Sequence, residues 1–392
     1  MLGLMQDWPL LCHRIIDHAA IQHAERPVVT RSVEGPIHTT NYREIRKRAL
    51  KLAKRLDKDG IRLGDRVATL AWNTWRHLEC WYGILGIGAV YHTVNPRLFP
   101  EQIAWIVNHA EDRVMMTDQT FVPLLEKLAD KLPTIERYVV LTDAAHMPQT
   151  SLKNAVPYEE WLAETDDDFT WKSFDENTAA GMCYTSGTTG NPKGVLYSHR
   201  SNVLHAFMAS LPDAKGIHST DVVLPVVPLF HANCWSLAFS TPMTGASMVM
   251  PGAKLDGPSI YELMDKYKVT FTAGVPTLRK YTATGDFVFE RHIEGPELDG
   301  VLQTLPTVWP TRVVGSREIP VVAPTIRTAV FAPDGQLWVS LVTPFTYVYD
   351  AVGNKTRTLQ FRGANPIAAD HIAFGRDGRV LVAPELYVFR VN

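Results

Sequence analysis

The chain has 392 residues, of which 46% are apolar and 20% charged, with a formal net charge of −2. That length suits two or three domains, and the composition is that of an ordinary soluble globular protein. The charge balance excludes a nucleic-acid footprint on composition, and no apolar run is long enough to span a membrane, residues 81–91 being the longest candidate.

The first nine residues place an acid early and carry no basic stretch, so a signal peptide is not expected. Residues 26–40 read as strands. A helix follows, with Ile45, Ala49, Leu52, Ala53 and Leu56 on one face. Arg46, Lys47, Lys51, Lys54 and Lys58 fall mostly on the others and read as a solvated face, and Gly60 stops the helix. Short apolar strands are expected near 66–70, 88–94, 113–117 and 138–142, separated by helices from about Trp75, from Pro100 and over 121–132. This alternation predicts an α/β fold with mostly parallel sheets flanked by helices. In such sheets ligands bind beyond the carboxyl ends of the strands. Residues 144–176 read as a polar connector, with Asp166, Asp167 and Asp168 in a solvated loop. Cys12, Cys80, Cys183 and Cys234 are scattered without a CxxC pair, so neither a zinc site nor a disulfide scaffold is expected, and a reducing, cytoplasmic setting is.

Residues 179–184 form a strand that delivers the most informative stretch, Tyr-Thr-Ser-Gly-Thr-Thr-Gly-Asn-Pro-Lys-Gly, from Tyr184 to Gly194. Gly187, Gly190 and Gly194 let the backbone approach a ligand closely. Backbone N–H groups in such a turn make an anion-binding concavity. The hydroxyls of Thr185, Ser186, Thr188 and Thr189 add donors, and Lys193 adds a mobile cation suited to phosphate. A Walker-type loop needs Gly-Lys followed by Ser or Thr. Here Pro192 precedes Lys193 and Gly194 follows it, so this is a phosphate cradle of another kind.

A helix then runs from Ser198 and a strand over 221–226, leading to Pro-Leu-Phe-His-Ala-Asn-Cys-Trp at 228–235. Read alone, His231 and Trp235 fit either a site or a core corner between strand and helix. A strand at 245–250, a helix at 259–267 and a strand and turn at 268–277 complete this part.

The stretch from Tyr184 to Gly194 closely resembles the phosphate loop of adenylate-forming enzymes. Asp65-Arg66-Val67-Ala68, Gly88-Ala89-Val90, Asn95-Pro96-Arg97-Leu98 and residues 106–112 look like fatty-acyl-CoA ligases, nearest to the medium-chain and methylmercaptopropionate branch. The likeness runs to about Leu278. It implies ATP-dependent, AMP-forming activation of a small organic or fatty acid to its CoA thioester, with ATP, Mg and CoA as cofactors. Thr185, Ser186, Gly187, Thr188, Thr189, Gly190 and Lys193 would bind the nucleotide phosphates, with Thr185 also at the metal. Carried over by position, His231 lies where the acyl phosphate forms, Ala232 contacts the nucleotide and Trp235 gates the acyl pocket. The implied partners are a carboxylic acid and CoA, with a homo-oligomer left open.

The family's magnesium-holding Thr-Glu motif, its ribose-binding aspartate and its C-terminal catalytic lysine are not found after Leu278. Full turnover is therefore not expected of this chain. A non-catalytic nucleotide-binding protein, a β-tail interaction protein and a rearranged fusion stay open. The boundary is expected at 278/279. Beyond it, an Asp-Gly hairpin at residues 329–339 recurs at 372–382, with Phe331 and Phe374 43 residues apart. Residues 279–392 thus resemble about two β-propeller blades.

Overall fold

The apolar runs fold as parallel strands because each is buried on both faces. The structure, a computed structural model, describes residues 3–5, 7–185 and 192–274, then 277–281, 287–292, 311–314, 317–320, 326–341, 345–351, 353–362, 366–367, 369, 371–374, 379–383 and 387–390. The chain divides into two compact units, Met1–Gly274 and Val275–Asn392.

In the first unit, helix α1 (His13–Gln22) precedes the hairpin β1 (Pro27–Arg31) and β2 (Ile37–Asn41). Helix α2 (Tyr42–Lys58) is capped by the Asn41 side chain, which accepts from the Glu44 N–H. It buries Ile45, Ala49, Leu52, Ala53 and Leu56 as expected. Lys47 and Lys58 are exposed, whereas Arg46 pairs with Asp17. There follow β3 (Arg66–Leu70), α3 (Trp75–Gly86), β4 (Val90–Thr93), α4 (Pro100–Ala110), β5 (Val114–Thr117), α5 (Val122–Leu128) and β6 (Arg137–Val140).

The expected connector at 144–176 is not loop throughout. It adds β7 (Ala155–Pro157) at the sheet edge and α6 (Tyr158–Ala163), which buries Tyr158, Trp161 and Leu162. Asp166 stays at the surface and pairs with Lys54 at 2.6 Å. Next come β8 (Ala179–Thr185), β9 (Lys193–Ser198), α7 (His199–Ser210), β10 (Val222–Pro225), α8 (Leu237–Thr244), β11 (Ser247–Met250), α9 (Gly257–Tyr267) and β12 (Phe271–Ala273).

Two mostly parallel sheets result. One has the order β7-β6-β5-β3-β4-β8-β9, with only β9 antiparallel. The other runs β12-β10-β11-β1-β2, with only β2 antiparallel. Helix α3 packs against α2 and is buried along its whole length. Gly181, in the middle of β8, is held to glycine by packing: a Cβ there would lie 2.2 Å from the Tyr91 ring, which stacks on Trp81 at 4.1 Å.

The second unit is antiparallel β structure. Strands Ile326–Phe331, Leu337–Leu341, Thr346–Tyr349 and Lys355–Leu359 form a consecutive four-stranded meander. Its first turn is the expected Asp334-Gly335, with Gly335 at φ +82°. His371–Phe374, Arg379–Ala383 and Tyr387–Arg390 form a three-stranded sheet, and Trp338, Val348, Ile372, Val380 and Val382 share one core. The second expected turn, Asp377-Gly378, lies outside the described residues.

Candidate active site

The carboxyl ends of the two parallel sheets meet at Asn73, just beyond β3. This residue is buried. Its amide nitrogen donates to the carbonyls of Pro225 (2.9 Å) and Val227 (3.0 Å), and its Oδ1 accepts from the Leu229 N–H (2.7 Å). A β-bridge pairs Asn73 with Gly252, just after β11, and the Gly252 N–H donates to the Asn73 carbonyl at 3.1 Å. One side chain thus fixes where the 225–229 segment leaves β10. Neighbouring Trp72 donates its N–H to Asp118 Oδ2 at 2.6 Å, and its ring meets Phe230 edge-on at 6.2 Å. Burial pushes the Asp118 carboxyl up to about 7, against the pull of the Trp72 N–H. The Arg97 guanidinium lies 5.9 Å over the Phe230 ring.

After Phe230 the backbone does something the sequence does not announce. Ala232, Asn233, Cys234, Trp235 and Ser236 take φ of 43°, 55°, 53°, 49° and 70°. Five consecutive left-handed residues with side chains cost about 1–2 kcal/mol each. Only Asn233 belongs to a type that visits this region readily. The surroundings hold the turn in place. The Cys234 thiol donates to the Val227 carbonyl at 3.2 Å, the Asn233 amide reaches Asn202 Oδ1 at 3.4 Å, and the Lys215 ammonium donates to the Trp235 carbonyl. The turn packs against β8, where the Ala232 N–H faces the Cys183 thiol.

That contact brings the two constellations of the sequence together. Strands β8 and β9 form an antiparallel hairpin in which Thr185 stands opposite Lys193, both exposed at its mouth. Ser186, Gly187, Thr188, Thr189 and Gly190 lie outside the described residues. The hairpin is anchored through Tyr184, whose hydroxyl lies 2.7 Å from His109 Nδ1 and whose ring meets Trp105 edge-on at 6.1 Å. Burial raises the Tyr184 hydroxyl to about 12. Gly194 sits against that ring, since a Cβ would come within 3.2 Å of it.

His231 is exposed, Ala232 half-buried, and Trp235 half-buried against the main core. Asn73 and Lys215 went unread in the sequence. A turn signal at Pro212-Asp213 marks the loop near Lys215, but nothing local marks its ammonium. An open groove of about 650 Å³ beside β2 is lined by Glu34, Arg48, Arg76 and Glu159, among others. Its cations are already neutralised by Arg76–Glu34 (2.6 Å), Arg76–Glu159 (2.7 Å) and Arg48–Glu159 (3.0 Å) pairs, and none of the site residues above lines it.

A protein-family model described as AMP-binding enzyme matches residues 16–323, beyond the 278 at which the likeness was expected to stop. The 3-methylmercaptopropionyl-CoA ligase of Ruegeria pomeroyi is 48% identical over 278 residues, 71% of this chain and 52% of that protein. The medium-chain-fatty-acid–CoA ligase of Ectopseudomonas oleovorans is 43% identical, over 71% of this chain and 51% of that one. The chain therefore spans about half the length of the curated relatives it matches. Among solved structures, a long-chain-fatty-acid-CoA ligase from Archaeoglobus fulgidus superposes with a TM-score of 0.60 at 22% identity, covering 69% of this chain and 53% of that one, which shows a shared fold. With four-fifths of its length matched by one family model, and with the hairpin and the 228–235 segment meeting beyond the carboxyl ends of its sheets, the chain belongs to the AMP-binding enzyme family.

Proposed function

We propose that the first unit binds ATP and a carboxylic acid and supports the acid-activating half of an AMP-forming acyl-CoA ligase reaction. The observation that carries this reading is the meeting of the β8–β9 hairpin with the 232–236 turn, through Ala232 and Cys183. In that reaction a carboxylate oxygen attacks the α-phosphate, forming acyl-adenylate and releasing pyrophosphate. The CoA sulfur then attacks the acyl carbon and AMP leaves. Both steps build charge on phosphoryl and carbonyl oxygens, so positioned donors and cations dominate. Lys193, with the hydroxyls and backbone of 185–190, would cradle the phosphates. The Ala232 backbone would line the nucleotide side, His231 would face the reacting carboxylate, and Trp235 would bound the acyl side.

Among the described residues no group of three His, Cys, Asp or Glu could hold a metal ion. Magnesium, which would neutralise phosphate charge, fits as an ion carried by ATP, with the exposed Thr185 hydroxyl as a protein oxygen beside it. CoA is the proposed acceptor, and a homo-oligomer remains open within this reading. No helix among the described residues is long and apolar enough to cross a membrane, and the four cysteines are free and buried, in keeping with the cytoplasmic setting proposed.

We further infer that overall turnover is weak, because the Thr-Glu and aspartate motifs that the resemblance implies are not found among residues 279–392. ATP titration with thermal melting, ATP–pyrophosphate exchange with hexanoate or methylmercaptopropionate, and CoA thioester formation test the two statements separately. ATP should raise the melting temperature. Robust thioester synthesis would overturn the weak-turnover statement. The core of the second unit favours one alternative, a protein in which the β tail is the interaction surface. No ATP effect, together with partner capture that needs residues 279–392, would select it.

A further inference from the structure

The left-handed turn at 232–236 needs an external tie, and Lys215 supplies one. Lys215 sits in the tight turn after α7, where its own N–H bonds the Ala209 carbonyl and the Gly216 N–H bonds the Leu211 carbonyl, each at 3.0 Å. The side chain is half-buried and its ammonium donates to the carbonyl of Trp235, the fourth residue of the run. Its neighbours include the Cys234 thiol and the His205 ring. Neither is an acid that pairs with it, so its described role is to hold a backbone carbonyl. Such a charge-assisted bond is stronger and more directional than one from a neutral donor. It acts where a strained backbone would otherwise relax toward right-handed or extended geometry.

We propose that Lys215 is a positioning residue for the acid side of the site, fixing through the Trp235 carbonyl both the left-handed turn and the stance of the Trp235 ring against the core. Trp235 is the partly buried aromatic of this turn packed on the main core, so a relaxed turn re-aims that ring first. The nucleotide side rests chiefly on the β8–β9 hairpin, whose anchors are His109 and Trp105 and not Lys215. The functional consequence rests on the acid-activating reading above. The structural consequence does not.

Two measurements on the full chain separate them. In protein labelled with 5-fluorotryptophan, the Trp235 signal is assigned by its loss in Trp235→Phe. Lys215→Met should shift or broaden that signal and leave those of Trp81 and Trp161 in place, and Lys215→Arg should restore it. Lys215→Gln, which keeps a donor without the charge, gives an intermediate shift and serves if the methionine variant does not fold. In parallel, calorimetry compares AMP with a non-hydrolysable hexanoyl-adenylate analogue. Lys215→Met should lose about ten-fold of the extra affinity that the acyl chain confers, with AMP affinity changed far less. A Trp235 signal that ignores Lys215→Met and Lys215→Gln overturns the proposal, as does equal weakening of AMP and analogue. If the analogue binds the unaltered chain no better than AMP while the Trp235 signal follows Lys215, the acid-activating reading falls and the positioning role stands.

Discussion

Replacing Asn73 by alanine should unfasten the two sheets at the point where the site is built. The substitution deletes three hydrogen bonds, to the carbonyls of Pro225 and Val227 and from the Leu229 N–H, at 2.7–3.0 Å. All three backbone groups are buried with the side chain, so water does not simply replace it. A hydrogen bond is worth about 0.5–1.5 kcal/mol net, and a buried group left unsatisfied costs about 1–3 kcal/mol. The N–H, which has a single bonding direction, should suffer most. Summed, Asn73→Ala should cost roughly 3–5 kcal/mol. In a unit of this size each kcal/mol moves the melting temperature by about 2–4 °C, so a fall of roughly 6–20 °C is expected. Urea unfolding gives the free energy, and hydrogen exchange should show faster opening over 225–236 than over β3–β5. Asn73→Asp sharpens the test. Its carboxylate still accepts from Leu229 but faces two carbonyl oxygens. When protonated it can donate to one of them, so this variant should be markedly more stable at pH 5 than at pH 8. A loss below about 1 kcal/mol for Asn73→Ala, or a pH-independent Asn73→Asp, would refute the reasoning.

Other outcomes follow from the same geometry. Lys193→Ala should weaken ATP binding at least about ten-fold, a charged contact being worth about 1.5–3 kcal/mol, and more at low salt; unchanged affinity by calorimetry would count against the phosphate assignment. Asp118, ordinarily at 3.8 and held at about 7 by burial, keeps a proton in the folded state that the unfolded chain loses. Stability should therefore fall as pH rises from about 4 to about 7, by up to roughly 4 kcal/mol. Asp118→Asn, which still accepts from Trp72, should flatten that slope in urea titrations, and an unchanged slope would sink the idea. Gly181→Ala should cost at least about 1–3 kcal/mol by forcing Tyr91 off Trp81, and adding Tyr91→Leu should recover part of it in chemical denaturation.

The parallel core was legible because its signals are local. Strands β3 to β6 are short, almost wholly buried runs, and α4 and α5 between them show the 3.6-residue stripe that burial against a sheet demands. The hairpin strand β9 was hidden by its exposure, since Lys193–Ser198 carries no alternating apolar face. Strand β7 is three residues long and α6 six, too short for a period to show. The site was legible where it rests on glycines and hydroxyls, and illegible where it rests on tertiary ties. Nothing near Asn73 says that its partners are 152–156 residues away. Nothing in Ala-Asn-Cys-Trp-Ser foretells a left-handed run, because propensity argues against it and only the surrounding bonds overrule that preference.

The arrangement also explains how the matched part of the chain, which spans about half of its ligase relatives, holds its site elements together. The hairpin, the 225–236 segment and every tie between them belong to Met1–Gly274. Asn73 joins the sheets, Tyr184 fastens the hairpin to His109 and Trp105, and Lys215 fastens the turn. These bonds fix positions before any substrate arrives, so the ordering cost of the two hairpin strands and of the turn is met by folding rather than by binding. Catalysis asks for more, since charge developing on the reacting oxygens must be met by groups that close around them. Nucleotide affinity is therefore the property these ties set most directly. Substitutions at Asn73 and Tyr184 should move ATP affinity and stability together, whereas those at Lys215 act mainly on the acid side. A tie variant that lost ATP affinity without losing stability would show that these bonds serve the ligand alone and would break the link between fold and half-site drawn from Asn73.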